Sequence, residues 1–87
     1  MENLYHHLDN FIRHLVSERG SSPHTVDAYS RDILVFIKFL EEISCDMPRR
    51  EHMEAFMGHL RQGGKKARSI VRTISALRGF FNFLILE

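Results

Sequence analysis

Five cations and no carboxylate fall within KKARSIVRTISALRGFFNFL, Lys65 to Leu84, in an 87-residue chain of formal net charge only +1. Placed 100° apart on a helix, Arg68, Arg72, Ser75, Gly79 and Asn82 lie on one side, with Ser69 bordering them on one flank and Arg78 on the other. Arginine and serine donate hydrogen bonds, and small residues between them let the helix come close to a partner. Lys65, Lys66 and Arg68 stand beside the helix start, where unpaired amides and the positive dipole end favour anions. This chemistry is recognition: phosphate on one hand, and acceptors such as those of guanine in a major groove on the other. A helix that meets only water usually interleaves Glu with its Arg, and this one carries no carboxylate on its polar face. Two further readings stay open on the residues alone, a solvated basic surface and a docking surface for an acidic protein.

Nothing else in the chain assembles into a site. His6 and His7 are adjacent and so diverge on a helix, His52 and His59 are seven apart, and His14 and His24 fall in separate segments. There is no HExxH and no Cys/His cluster, so metal-ligand spacing is missing. The carboxylates of residues 1–60 form no motif. QGGKK follows a helix rather than a strand and lacks the GxxxxGK[ST] spacing of a phosphate loop. The expectation is no catalytic residue, no metal and no cofactor. Cys45, the one cysteine, has no internal disulfide partner, so the chain must fold by packing alone, which suits a reducing cytoplasm. No run approaches the roughly 18 apolar residues of a membrane span, and MENLYHHLDNF has no apolar signal core.

The charge is unevenly spread. Residues 1–60 carry six Lys/Arg against ten Asp/Glu, a net of −4, whereas residues 61–87 carry six against one, a net of +5. Such segregation speaks of partners, and it points to a polyanion or an acidic surface.

The elements that must position these residues are four helices. Leu4, Leu8, Phe11, Ile12 and Leu15 recur at helical spacing, and Gly20 stops the pattern. Ser22 is the expected N-cap of the second helix, with Pro23 at its first position. Val26, Tyr29, Ile33, Phe36, Ile37 and Leu40 give that helix its apolar face, up to about Ile43. After the loop SCDM, Pro48 reads as another helix start, and Met53, Phe56, Met57 and Leu60 form a shorter stripe that QGG ends. The fourth helix runs from about Lys66 to the chain end, with Ile70, Ile74, Leu77, Phe81 and Leu84 as its core stripe. There is no strand alternation or repeat. The class is all-α, in one domain, with short connections that fold neighbouring helices into hairpins. FLILE is still in helical pattern at the end, which predicts more protein after Glu87.

In this order and spacing the residues resemble the N-terminal core-binding domain of tyrosine recombinases and phage integrases, of the Xer type. The first helix is similar to "F...L..E.G.S" through Phe11, Leu15, Glu18, Gly20 and Ser21. The second is similar to "S..T...Y..D...F..FL" through Ser22, Thr25, Tyr29, Asp32, Phe36, Phe39 and Leu40. The end is similar to "K..S..R..SA.R.FF.FL" through Lys66, Ser69, Arg72, Ser75, Ala76, Arg78, Phe80, Phe81, Phe83 and Leu84. The resemblance implies a four-helix SAM-like bundle of two crossed helical hairpins. It implies half of a clamp on double-stranded DNA, with the second and fourth helices facing the major groove.

The resemblance also distributes the roles. It sets Lys66, Arg68, Ser69 and Arg72 at the start and outer face of the DNA-reading helix; taken with the charge pattern, Lys65, Lys66 and Arg68 would meet phosphate, and Arg72 would reach base edges with help from Ser69 and Ser75. Thr25, Ala28 and Arg31 would be the groove-facing positions of the second helix, where Asp27 departs from what a phosphate-facing helix prefers. Arg78 matches a family arginine, contacting phosphate or supporting the fold. Neither Tyr5 nor Tyr29 matches the family's nucleophile, which belongs to a following catalytic domain, so these 87 residues should bind DNA without cleaving it. The first helix and the chain end would serve contacts with other recombinase subunits in a tetramer on DNA, and the domain alone should be a monomer without membrane contact.

Overall fold

Local signals start and stop four helices in a computed structural model of the chain, which describes residues 3–45 and 48–86: α1 Leu4–Ser17, α2 Pro23–Glu42, α3 Arg50–Gln62 and α4 Ala67–Leu86. Asp46 and Met47 of the SCDM loop, the chain start and Glu87 lie outside the described residues. Ser22 caps α2 as expected. Its hydroxyl accepts from the Thr25 amide at 3.2 Å and donates to the Thr25 hydroxyl at 3.0 Å, with Pro23 in the first turn. Pro48 does not open α3. The His52 Nδ1 accepts from the Arg49 amide at 2.8 Å, which makes extended Arg49 the cap and starts the helix at Arg50.

The first three helices end alike. A residue in the left-handed region turns the chain: Gly20 at φ 58°, Ser44 at 53° and Gly64 at 81°. The next amide then bonds back, Ser21 to the Leu15 carbonyl (2.9 Å), Cys45 to that of Leu40 (2.9 Å) and Lys65 to that of Leu60 (3.1 Å). Glycine enters this region freely, whereas Ser44 brings a Cβ against the following carbonyl. Ser44→Gly is expected to raise stability by roughly 0.5–1 kcal/mol, the left-handed penalty less the added entropy of the unfolded chain. Urea denaturation checks this as a higher midpoint at unchanged slope.

The Tyr5 hydroxyl at the start of α1 donates to the Glu41 carboxylate at the end of α2 at 2.7 Å, so these helices run antiparallel. That bond, with the nearby negative charge, holds the Tyr5 phenol above its ordinary range. α1 packs on α2 and α4, α3 packs on the same two, and α2 against α4 forms the centre of the bundle. The architecture is the expected all-α one, four helices around one shared core.

Phenylalanines mark where the helices meet. Phe36 of α2, Phe56 of α3 and Phe81 of α4 meet edge to face, with Phe36 centred 5.1 Å from Phe56 and 5.9 Å from Phe81. Phe11 of α1 meets Phe80 and Phe83 of α4 at 5.6 and 5.5 Å. Phe80 and Phe81, centred 5.7 Å apart, join the two clusters through α4.

The rotation of α4 differs from the sequence expectation. Its buried residues are Ile70, Thr73, Ala76, Leu77 and Phe80, while Ile74, Phe81 and Leu84 are half-buried. At 100° per residue the buried arc is turned by about 55° from the Ile/Leu/Phe stripe. The cause is contact on two sides. Ala76 is fully buried, and Thr73 can be buried because its hydroxyl donates to the Ser69 carbonyl within the helix at 2.9 Å.

Gly79, expected on the outward face, instead faces α1. A Cβ there would lie 3.3 Å from Phe11 Cζ, and Phe11 is itself enclosed by Phe80, Phe83 and His14. Gly79→Val is expected to destabilise by about 1–3 kcal/mol through overpacking, measured by the same urea titration.

Candidate nucleic-acid interface

The cations near the start of α4 are placed by the turn before it. The left-handed Gly64 and the Lys65 amide bond to Leu60 reverse the chain, and Lys65, Lys66, Ala67 and Arg68 emerge exposed around the first turn. Along the helix the outward residues are Arg68, Val71, Ser75, Arg78 and Asn82. Arg78, which the sequence alone placed between the polar and core faces, is therefore fully on the outer side. Val71 is 62% exposed among these polar neighbours.

Arg72 sits on the flank toward α2. Its Nε donates to Asp32 Oδ2 and its Nη2 to Asp32 Oδ1, both at 2.9 Å, a two-pronged ion pair across the α2–α4 seam. The hydrogen bonds and charge of the carboxylate hold the Arg72 guanidinium above its ordinary value. The polar face of α4 is thus not wholly without a neutralising carboxylate, because α2 supplies one. The Asp32 side chain is only 10% exposed and that of Arg72 46%, so the acceptor is fixed in the seam while the donor reaches outward.

Ser69 is half-buried beside this pair, and Ser75 is exposed. Lys65, Ser69, Arg72 and Thr73 share with Asp32, Val35, Phe56 and Leu60 the lining of a cavity of about 50 Å3. It has room for a water or two and none for an organic ligand.

On α2, Thr25 and Ala28 lie within about 40° of Asp32 around the helix, so they belong to its α4-facing flank. Both are half-buried, and the Thr25 hydroxyl is engaged by Ser22. Arg31 is exposed on the outer side of α2. The structure thus pairs Arg72 with Asp32 of α2, sets Lys65 and Ser69 at the rim of the same small cavity, keeps Lys66 and Arg68 exposed at the start of α4 and Ser75 and Arg78 along its open surface, and leaves Arg31 on a separate outward face. Asp32 is the site residue that sequence reasoning missed. Its position in the motif of α2 was visible, but nothing in the spacing says that a carboxylate on one helix meets an arginine 40 residues later.

Among the described residues, Lys65, Lys66, Arg68 and Arg78 have no carboxylate within ion-pair distance, whereas Arg72 is paired with Asp32 and Arg50 lies 3.8 Å from Glu54. Also among them, no group of three His, Cys, Asp or Glu side chains is placed to hold a metal ion. No helix is long and apolar enough to cross a membrane.

Fold and surface together define a small helical binding module: a packed four-helix core presenting unneutralised cations from one helix. Residues 8–87 match the phage integrase, N-terminal SAM-like domain, and the chain belongs to that family. It is similar to the tyrosine recombinase XerC of Pseudomonas savastanoi pv. phaseolicola, with 38% identity over 84 residues, covering 93% of this chain and 28% of that protein. It is also similar to the tyrosine recombinase XerD of Listeria monocytogenes serotype 4b, with 35% identity over 82 residues, covering 90% of this chain and 28% of the relative. The chain thus spans about 28% of the length of these relatives. No solved structure matches it.

Proposed function

We propose that these 87 residues are the core-binding domain of a site-specific tyrosine recombinase, holding duplex DNA through α4 and α2 and supplying no strand-cleaving chemistry. The observation that carries this reading is the set Lys65, Lys66, Arg68 and Arg78, exposed just before and along α4 without a carboxylate partner among the described residues, in a chain otherwise net acidic. A soluble surface gains from pairing such charges, so leaving them open suits a polyanion. The family and its recombinase relatives support the same reading.

Lys65, Lys66 and Arg68 take phosphate at the helix start, where the dipole and free amides add to their charge. Arg78 takes phosphate further along the outer face, and Ser75 donates to the groove between them. Thr25 and Ala28 bring the α4-facing flank of α2 alongside, with Arg31 reaching the duplex from the outer side of that helix. Contacts with other recombinase subunits fall to α1 and the far end of α4, where Val16 is 58% and Ile85 77% exposed.

Titration of the chain with duplex DNA at two salt concentrations tests the reading. Each phosphate neutralised contributes roughly 0.9 to the log–log salt slope, so Lys66→Ala is expected to flatten it by about one unit. Absence of duplex binding at low salt would turn the same face over to an acidic protein partner.

A further inference from the structure

We propose that Asp32 is a positioning residue that holds Arg72 as a preset reader of guanine in the major groove, an inference that rests on the DNA-binding reading above. A guanidinium carries five N–H donors in a planar fork. Two of them, on Nε and Nη2, are committed to the two Asp32 oxygens at 2.9 Å each. The other three, two on Nη1 and one on Nη2, remain along the end of the fork away from Asp32. A parallel pair of donors from Nη1 and Nη2 matches the O6 and N7 acceptors that guanine presents in the major groove.

Rigidity makes the difference from an ordinary surface arginine. A free arginine must freeze a long, rotamer-rich side chain when it binds, and that ordering cost weakens the contact. Here the fork is already held by a carboxylate that is only 10% exposed and seated in the α2–α4 seam, while 46% of the Arg72 side chain stays open to a partner. The pair is also close to neutral as a unit. It therefore adds little to phosphate attraction, which falls to Lys65, Lys66 and Arg68, without a carboxylate partner among the described residues. What remains to Arg72 is direction, and directional donors discriminate bases. A lysine at this position would supply charge without the fork.

The test is selection of bound duplexes from a randomised double-stranded DNA library by the 87-residue chain and its variants. The wild type is expected to enrich guanine at one position by roughly tenfold, the scale of a two-pronged arginine–guanine contact. Arg72→Ala and Arg72→Lys should each abolish that enrichment. Asp32→Asn keeps the side-chain shape but removes the charge and one acceptor. It should weaken the guanine preference severalfold while raising overall duplex affinity and steepening the salt slope by up to roughly 0.9, because the Arg72 charge is uncovered. Replacing the selected guanine with 7-deazaguanine, which lacks the N7 acceptor, should weaken binding by the wild type and leave Arg72→Ala unaffected.

A purely structural ion pair gives a different pattern: Asp32→Asn would lower the melting temperature yet keep the full guanine preference in the folded molecule. That result overturns the proposal, as does a wild type that binds duplex in a salt-dependent way without an Arg72-dependent guanine. Failure to bind duplex at all overturns the DNA-binding reading along with it, and so differs from failure of the Asp32 role alone.

Discussion

Phe36→Ala is expected to lower stability by about 3–5 kcal/mol, the cost of removing a fully buried aromatic ring. A domain of this length commonly has a total stability of roughly 4–13 kcal/mol, so the variant would be near or beyond its folding limit. Phe36 is 0% exposed and its ring touches those of Phe56 and Phe81, from α3 and α4. The cavity left behind borders three helices, none of which can move in to fill it without leaving another contact. Phe81→Ala should cost less, because Phe81 is only half-buried. Thermal unfolding followed by circular dichroism reads the comparison, with a fall of more than about 12 °C expected for Phe36→Ala. A larger loss for Phe81 than for Phe36 would place the centre of the core elsewhere.

Replacing Lys65, Lys66 and Arg68 together with alanine should nearly eliminate duplex binding. Three phosphate contacts account for a salt slope of roughly 2.7, which at about 0.1 M salt corresponds to a loss of two orders of magnitude or more in affinity. The fold should survive, because all three residues are exposed and none has an ion-pair partner among the described residues. Unchanged melting with lost binding is therefore the expected pair of results. A triple variant that still binds with the wild-type salt slope would move the phosphate contacts off the start of α4. Arg50→Ala serves as the contrast, since its charge lies beside Glu54 on the exposed side of α3 and should matter little.

Much of the fold was legible in the chain because its signals are local. The caps at Ser22 and Pro23, the turns at Gly20 and Gly64, and the apolar spacing of α1 to α3 each depend on neighbours within a few residues. Leu8, Phe11 and Leu15 in α1, and Ile33, Phe36, Ile37 and Leu40 in α2, are buried as their spacing predicts. The Pro48 start failed for a reason equally local but less visible, a histidine side chain capping the amide of Arg49.

The site was legible in its charges and not in their pairing. Lys65, Lys66 and Arg68 stand exposed at the helix start, where composition and position placed them. Arg72 looked equivalent to them in sequence, and the packing of α2 against α4 set it apart by bringing Asp32 within 2.9 Å.

What the sequence by itself determined was the number of helices, most of their ends, the all-α class and the excess of cations on the last one. Hydrogen-bonding reach and helical periodicity act within a turn or two, so a linear reading captures them. Only the tertiary structure decided how α4 is rotated, and with it that Thr73, Ala76 and Phe80 are buried, that Gly79 faces Phe11, and that Arg78 points out. A helix held on two sides buries the arc that fits its neighbours, which is set by small residues and satisfied hydroxyls as much as by hydrophobicity. That rotation carries Arg72 to Asp32, and so separates the cation held in the seam from those left open for a partner.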